Sequence, residues 1–393
     1  MKKKLLFIIP SLHLGGAEKG LINLLANFDY EKYEVDLLLF SHDGALVKDL
    51  NPNVNILPIS NNFVTFSKGL VASCLSFFTQ FKWKLLWYRL LFVLTSRKHA
   101  TNKAEQYSWN YLRNFLETPV THYDVAIGFL EKTSIYCCVD VIKAKKKIGF
   151  IRTDYSSLQL DKKFDEYYFH QLDYLCANGS LSLNILQREF PQLLSKLKLV
   201  ENVTFPKRIY KLAESESLFD SNRIAIATVG RLEQPKGYKL AVESCALLVE
   251  KGYDIQWMII GEGNERSALE RLISERNLQN NLILVGQKEN PYPYISQAHF
   301  YVQTSLHEGK SNTINEAKIL CKPIVVTNFE SVFEQITHLK NGIIVEKNAE
   351  SIANGIVTLI EDVELKNKVV EQLHVEQLVS GKEIEQFYQI LEN

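Results

Sequence analysis

Two groups of charged residues in the second half of the sequence have the types and spacing of an anion-binding site. Arg231 and Lys236 form the first group, and Gly237 follows directly. The second group starts at Glu308 and ends at Glu316. Two cations can neutralise a diphosphate, and carboxylates can accept hydrogen bonds from hydroxyl groups. Together they indicate a site for a ligand that carries phosphates and hydroxyls.

Both groups follow predicted strands and precede predicted helices. Apolar, β-branched runs alternate with amphipathic segments, and the predicted strands are 224–230, 255–260, 282–285, 300–304, 323–327 and 342–345. Continuously apolar strands separated by helices predict an α/β domain with a parallel, doubly wound sheet. Ligands of such sheets bind beyond the carboxyl ends of the strands, near helix N-termini. Both charged groups are predicted to lie at that edge.

Backbone donors are expected in the second group as well. Gly309 permits a close approach of the backbone to a ligand. The amides of Lys310, Ser311 and Asn312 are predicted to start a helix, where unpaired N–H groups can receive an anion. The spacing therefore places amide donors beside the two carboxylates.

Each charged residue also has a structural alternative. Arg231 and Lys236 would suit a solvated loop with ordinary basic residues. Glu308 and Glu316 would suit the first turn of a helix, where negative charge is favourable. That alternative explains Glu308 better than Glu316, which is predicted about one turn inside the helix.

The first half of the sequence begins with the same strand–helix alternation. Predicted strands are 4–9, 35–40, 125–129 and 147–151. The sequence therefore predicts two Rossmann-like domains facing each other across a cleft. The predicted boundaries are an N-terminal domain 1–204 with a basic aromatic insertion at about 64–104, a polar linker 205–223, a C-terminal domain 224–375, and a helix 376–393 that packs back on the N-terminal domain.

These motifs, in this order, are similar to those of one known family. The chain resembles the donor-binding half of family-4 retaining glycosyltransferases of the GT-B fold in Gly230-Arg231-Leu232, Lys236-Gly237, Gly261-Glu262-Gly263, Glu308-Gly309 and Glu316. Gly15-Gly16-Ala17-Glu18, after the first strand, is also similar to that family. The resemblance is strong over about 224–362, good over 1–40 and weaker between them.

The resemblance implies a role for each matched residue. Arg231 and Lys236 would bind the donor diphosphate and stabilise charge on the leaving nucleotide. Glu316 would hold the ribose, and Glu308 would contact the donor sugar. The other implied positions are the amides from Gly309 to Ser311, Gly286 and Gln287 at the base, and Gly15 and Gly16 at the phosphates or the acceptor.

The N-terminal domain, to which the resemblance assigns acceptor binding, departs from the family pattern at one place. A strand there often ends in a histidine near the reaction centre, but Arg152 stands at the corresponding place in this sequence. A guanidinium cannot act as a general base at neutral pH, although it can bind an acceptor phosphate or sugar hydroxyls. Asp154 is then the nearest candidate carboxylate, with helix capping as its structural alternative.

The resemblance also implies the reaction. A retaining transfer in this family needs no protein nucleophile, and arginine, lysine and helix amides take the place of a metal ion. The donor would be a nucleotide-sugar, with a UDP-sugar expected, and it is a substrate rather than a cofactor. The residues from Glu308 to Thr327 resemble bacterial capsular and cell-wall polysaccharide transferases more than starch or sucrose enzymes, which implies a lipid-linked or glycan acceptor. Two other classes remain open: a GT-B nucleotide-sugar epimerase and a non-catalytic nucleotide-binding partner subunit.

Charge is balanced over the whole chain but not along it. The 45 basic and 45 acidic residues exclude a general nucleic-acid binder. Between Asp49 and Glu105 there is no acidic residue, seven residues are basic, and many are aromatic. A helix on an anionic membrane surface and a core helix with lysine side chains that extend to solvent both fit this segment. The absence of acidic residues favours the first of these, and we predict contact with an anionic membrane surface through about 69–98.

Cysteine usage and the N-terminus indicate where the protein works. The six cysteines are scattered without metal-binding spacing, which is typical of a reduced cytosolic protein without a zinc site. The apolar stretch before Pro10 is too short for a signal peptide and predicts a buried strand. We therefore predict a cytoplasmic protein that is peripheral on the inner face of the cell membrane.

Overall fold

A computed structural model describes residues 2–377 and 383–392 of the chain. The described residues form two compact units. Unit 1 runs to Val203 and includes the segment that begins at Glu383, whereas unit 2 begins at Thr204. Each unit contains one parallel β-sheet with helices, so the predicted α/β class is confirmed.

The sheet of unit 1 has seven parallel strands in the order β3-β2-β1-β4-β5-β6-β7. Their bounds are β1 (Lys3–Ile9), β2 (Tyr33–Leu39), β3 (Val54–Ile56), β4 (Tyr123–Gly128), β5 (Ala144–Ile151), β6 (Tyr174–Ala177) and β7 (Leu197–Leu199). Central β1 is fully buried from Leu5 to Ile9, because it is covered on both faces. This strand order is that of a Rossmann fold.

Eight helices of unit 1 precede the boundary at Val203. Their bounds are α1 (Gly16–Ala26), α2 (Asn61–Ser67), α3 (Leu70–Thr79), α4 (Trp83–Lys98), α5 (Thr101–Leu112), α6 (Thr133–Asp140), α7 (Lys162–Phe169) and α8 (Ser180–Glu189). The predicted insertion at about 64–104 lies within α2 to α5. No helix in the described part of the chain combines the length and apolar content needed to cross a bilayer.

Unit 2 has a six-stranded parallel sheet in the order β10-β9-β8-β11-β12-β13. The strands are β8 (Ile224–Val229), β9 (Ile255–Ile260), β10 (Leu282–Gly286), β11 (Phe300–Gln303), β12 (Ile324–Thr327) and β13 (Ile343–Val345). Val302 and Val325 belong to one hydrophobic cluster, while Tyr301 and Val326 belong to another. Since successive strand residues point to opposite faces, both faces of this sheet are covered.

The helices of unit 2 alternate with its strands after a first helix that precedes β8. They are α9 (Pro206–Ala213), α10 (Tyr238–Glu250), α11 (Arg266–Glu275), α12 (Tyr292–Gln297), α13 (Asn312–Ile319), α14 (Ala349–Glu361) and α15 (Val363–Gln377). Helix α9 lies in the segment 205–223 that we predicted to be a linker. Its Ile209 is buried against Tyr292 and Ile319, so this part of the segment packs on unit 2.

The last described helix, α16 (Glu383–Glu392), packs on unit 1. The ring of Phe387 stacks on Phe7 and Phe150, with centroids 5.9 and 6.0 Å away. The Glu392 carboxylate receives hydrogen bonds from Lys3 at 2.7 Å and from the Tyr33 hydroxyl at 2.6 Å. Residues 378–382 and 393 of the predicted C-terminal helix lie outside the described residues.

Candidate functional site

The loops that follow β8 and β11 are joined by hydrogen bonds at the carboxyl edge of the unit 2 sheet. The Leu306 amide donates to the Pro235 carbonyl at 2.8 Å, and the Thr304 hydroxyl donates to the Lys236 carbonyl at 3.0 Å. Gly237, which precedes α10, has φ +64°, and a Cβ at this residue would lie 2.2 Å from the Thr304 carbonyl oxygen. This close approach places Lys236 beside the loop that carries Glu308.

Lys236 and Glu308, both predicted site residues, are in direct contact. The Lys236 ammonium donates a hydrogen bond to Oε2 of Glu308, and the two side chains are only 21% and 19% exposed. The Ser305 hydroxyl lies 3.4 Å from the same carboxylate oxygen. Pairing lets both charges stay half-buried at the sheet edge, where an isolated charge would lose its hydration without compensation.

Arg231 has a different environment from Lys236. Its side chain is 72% exposed, and its guanidinium forms an ion pair with Glu233 at 3.1 Å. The residue follows β8 as predicted, but it is held much less firmly than Lys236. An exposed arginine of this kind keeps the freedom to turn toward an anionic ligand.

Glu316 is the second predicted carboxylate, and it is almost completely buried, with 4% of its surface exposed. It lies in the second turn of α13, and the Tyr292 hydroxyl donates to its Oε1 atom at 3.2 Å. A carboxylate that only stabilised the first turn of a helix would be exposed to water. The burial of Glu316 therefore disagrees with the simple helix-terminus alternative and is typical of a carboxylate with a specific task.

A network of neutral polar side chains that the sequence did not indicate holds the loop between the two glutamates. The Gln335 side chain accepts a hydrogen bond from the Ser311 amide at 2.8 Å and donates to the Ser311 carbonyl at 2.7 Å. The Ser331 hydroxyl lies within 2.9 Å of the carbonyl oxygens of Glu308 and Gly309. The Ser311 amide, predicted to receive an anion, is thus already bonded to residue 335.

Helix α13 starts where we expected it. Ser311 is its N-cap, and the Ser311 hydroxyl accepts a hydrogen bond from the Ile314 amide at 3.4 Å. Lys310 and Asn312 flank this cap and are partly exposed. Gly286 ends β10 in the same unit, and Gln287 after it is exposed.

In unit 1 the predicted glycines begin a helix. Gly15 is the N-cap of α1 and Gly16 is its first residue, at the carboxyl end of β1. The carboxylate of Glu18 folds back against Gly15, in the space where a Cβ of residue 15 would stand. The amide-rich start of α1 therefore lies at the same sheet edge as the residues that follow β4 and β5.

Arg152 is fixed by contacts from several strand ends of unit 1. Its Nε atom donates to the Phe129 carbonyl at 3.0 Å, and its Nη1 atom donates to the Asn202 side chain. The guanidinium lies over the Phe129 ring, 3.7 Å from the centroid. The Arg152 amide also donates to the Glu131 carboxylate at 3.1 Å. Burial raises the pKa of Glu131 and lowers the pKa of Arg152, yet a guanidinium remains a cation at neutral pH.

We expect Arg152→Lys to lower the free energy of unfolding by about 1–3 kcal/mol, because a lysine cannot stack its head group and bond both oxygen acceptors at once. Thermal unfolding measures the change. Arg188→Lys is the matched control, since the Arg188 side chain is 69% exposed and pairs only with its neighbour Glu189 among the described residues. Equal melting temperatures for the two variants would show that Arg152 does not hold this edge together.

Asp154, the candidate carboxylate near Arg152, has the capping geometry that we considered as its alternative. Its Oδ1 atom accepts hydrogen bonds from the Ser156 amide at 2.8 Å and the Ser156 hydroxyl at 2.6 Å. It caps the 3₁₀ turn at Tyr155–Leu158. The residues that surround Arg152, namely Glu131 and Asn202, were not predicted, since they follow other strands.

Within the described ranges, no group of three or more histidine, cysteine, aspartate or glutamate side chains is placed to hold a metal ion.

A family model described as glycosyl transferases group 1 matches residues 210–373. Among curated relatives, the chain is 24% identical over 336 residues to the capsular polysaccharide biosynthesis glycosyltransferase CapM of Staphylococcus aureus, covering 85% of this chain and 76% of that protein. It is 28% identical over 222 residues to N-acetylgalactosamine-N,N'-diacetylbacillosaminyl-diphospho-undecaprenol 4-alpha-N-acetylgalactosaminyltransferase of Campylobacter jejuni, covering 56% of this chain and 59% of that protein. A match to an uncharacterized glycosyltransferase of Methanocaldococcus jannaschii spans 41% of that protein, so some of these relatives are matched over only about half of their length.

Solved structures resemble the chain over nearly its whole length. The structure of Anabaena HepE in complex with UDP-glucose has a TM-score of 0.70 at 17% identity, over 99% of this chain and 98% of that one. A glycosyltransferase from Rickettsia africae has a TM-score of 0.67 at 18% identity, over 100% and 98% of the two chains. At these identities the likeness concerns the fold, and it confirms the predicted GT-B class.

Proposed function

We propose that this chain, which carries a glycosyl transferases group 1 domain in residues 210–373, is a retaining glycosyltransferase. It moves a sugar from a nucleotide-sugar to a lipid-linked or glycan acceptor in the synthesis of a bacterial cell-surface polysaccharide. The observation that supports this most directly is the arrangement of the half-buried Lys236–Glu308 pair and the buried Glu316 at one sheet edge of unit 2. An ordinary surface loop has no reason to bury two carboxylates of this kind.

In this proposal the donor lies at the edge formed by β8 and β11. Lys236 and Arg231 bind the diphosphate. Glu316 accepts hydrogen bonds from the two ribose hydroxyls, and Glu308 contacts the donor sugar. Because Lys236 is already held by Glu308, its charge needs little reorganisation when the phosphate arrives, which is the condition for strong electrostatic stabilisation.

The reaction breaks the bond between the anomeric carbon and the phosphate oxygen and forms one to an acceptor hydroxyl. Negative charge develops on the departing diphosphate, where Lys236 and Arg231 stabilise it. The acceptor hydroxyl attacks on the face that the nucleotide leaves and passes its proton to the departing phosphate oxygen, so the chain supplies no nucleophile. We place acceptor binding on unit 1, where the start of α1 and Arg152 can contact phosphate or hydroxyl groups. The proposal requires no metal ion.

The relatives narrow the substrates that we propose. HepE has been solved with UDP-glucose, and the named Campylobacter jejuni relative acts on a diphospho-undecaprenol-linked glycan. We therefore propose a UDP-sugar donor and an acceptor carried on a lipid diphosphate. We propose that the protein meets this acceptor at the inner face of the cell membrane, in peripheral contact with an anionic membrane surface through about 69–98.

Incubation with a panel of labelled nucleotide-sugars, with and without membrane lipid extract, tests the proposal. We expect label from a UDP-sugar to move to a lipid fraction, because donor and acceptor sites are both assigned. Rearranged label without lipid would instead identify an epimerase, and bound but unreacted nucleotide would identify an accessory subunit. Lys236→Met is the control, since it should remove the transfer by removing the paired cation.

A further inference from the structure

Helices α3 and α4 of unit 1 expose an apolar face to solvent. We define it by eight side chains that are 39% to 81% exposed, namely Val71, Leu75, Phe78, Phe81, Trp83, Trp87, Leu90 and Leu94. Soluble proteins usually expose large apolar residues singly, so a contiguous group of this size indicates a partner surface. No part of the donor site described above uses these residues.

Seven of the eight residues form one stripe on each helix, and Phe81 lies in the turn between the helices. On α3, Val71, Leu75 and Phe78 are spaced by four and three residues, which places them on one stripe. On α4 the same spacing relates Trp83, Trp87, Leu90 and Leu94. The Trp83 ring joins the stripes through edge contacts with Phe78 and Phe81, at centroid distances of 4.9 and 6.4 Å.

The other sides of the same helices pack in the interior of unit 1. In the sequence, residues 77, 81, 85, 88 and 92 have helical spacing and predict a single apolar stripe, which the structure does not form. Helix α3 instead ends at Thr79, and Phe81 in the turn that follows has a left-handed backbone conformation, with φ 54°. Phe77 is fully buried, and Leu85, Tyr88 and Phe92 pack against its cluster. Helix α4 is thus apolar on both sides, and core packing accounts for only one of them.

The charged residues of the segment that carries the apolar face all have the same sign. Lys68, Lys84, Arg97 and Lys98 are exposed, and residues 50–104 contain no acid. Arg89, in contrast, is 9% exposed and lies over the Phe66 ring at 4.7 Å, so it belongs to the interior. An apolar surface flanked by cations is complementary to a layer of anionic lipid headgroups over acyl chains.

We propose that the apolar face enters the headgroup layer of an anionic membrane, with Trp83 and Trp87 at the depth where headgroups and acyl chains meet. This deepens the proposed function and rests on it for its purpose, since the lipid-linked acceptor would be presented at that surface. A second copy of the chain suits the face less well, because its cations would oppose those of the first. The insertion is shallow, since neither helix is long enough to span a bilayer.

Tryptophan fluorescence of the full chain tests the proposal directly. Four tryptophans are present, and Trp109 and Trp257 are fully buried, so a response to lipid reports on Trp83 and Trp87. We expect vesicles of phosphatidylglycerol and phosphatidylcholine to shift the emission to shorter wavelength, and brominated acyl chains to quench it. Vesicles of phosphatidylcholine alone should bind at least about tenfold more weakly, because each basic residue near the surface contributes to the attraction.

Flotation of variants with the same vesicles identifies the face. Trp83→Ser combined with Trp87→Ser should lower the fraction bound by at least about tenfold, because the variant loses the two indole rings that the proposal buries in the headgroup layer. Lys84→Glu with Lys98→Glu should weaken binding most at low salt. Tyr167→Ser is the matched control, since it removes an aromatic ring that is 62% exposed elsewhere in unit 1. Its binding should equal that of the unaltered chain.

Two results would overturn the proposal. One is equal flotation of the double tryptophan variant and the control. The other is a concentration-dependent dimer, without vesicle binding, that the tryptophan substitutions dissociate, which would assign the face to a second copy. Binding of a UDP-sugar without lipid should be the same in all these variants. Loss of vesicle binding with donor binding retained therefore separates this proposal from the proposed enzymatic activity.

Discussion

Glu316→Ala is expected to reduce donor turnover by about a hundredfold to ten-thousandfold. In the proposed site, the Glu316 carboxylate accepts two hydrogen bonds from the ribose. A hydrogen bond to a charged group contributes about 1.5–3 kcal/mol, so losing two removes about 3–6 kcal/mol of binding. The lost binding energy should appear as a weaker affinity for the free nucleoside diphosphate, measured by calorimetry, as well as in lower turnover.

Two further variants separate the ribose contact from a structural role of Glu316. Glu316→Gln keeps the shape and one carbonyl acceptor, so we expect an intermediate loss. Tyr292→Phe removes the hydroxyl that donates to Glu316 at 3.2 Å without touching the proposed ligand. We expect Tyr292→Phe to cost about 1 kcal/mol of stability and to leave most of the turnover. If Glu316→Ala binds the nucleotide as tightly as the unaltered chain, the assignment of Glu316 fails.

The sequence predicted unit 2 more completely than unit 1, for a physical reason. Strand β9 at Ile255–Ile260 has the predicted bounds, because it is a nearly continuous apolar run. Strands β3, β6 and β7 were not predicted. They have three or four residues each, and their sequences lack the continuous β-branched or aromatic runs that identify the equally short β11, β12 and β13.

The placement of the charged candidate residues could be predicted, whereas that of the neutral residues that support them could not. Lys236 and Glu308 are 72 positions apart, but both follow strands of one parallel sheet, so topology brings them together. Gln335 has no charge and no motif, and only the folded loop shows that it holds Ser311. Similarly, the place of Arg152 was predictable from the strand that precedes it, but its contact with Asn202 depends on the end of another strand.

Gly237→Ala is expected to destabilise unit 2 by at least about 3 kcal/mol and to disrupt the Lys236–Glu308 contact. A left-handed backbone conformation costs a side-chain-bearing residue about 1–2 kcal/mol. The rest of the effect comes from the Cβ atom, which would lie 2.2 Å from the Thr304 carbonyl oxygen. We expect the melting temperature of unit 2 to fall by about 6–12 °C, with a matching loss of turnover.

Gly252→Ala distinguishes the two sources of this effect within the same unit. Gly252 also has a left-handed conformation, with φ +91°, but no heavy atom lies within 4 Å of the Cβ it would gain. The Gly252→Ala substitution should therefore lower the free energy of unfolding only by the backbone strain, about 1–2 kcal/mol, and should leave turnover unchanged. The difference between the two variants measures how closely the start of α10 must approach Thr304. Equal effects would mean that this approach does not position Lys236, and that the pair with Glu308 forms independently of Gly237.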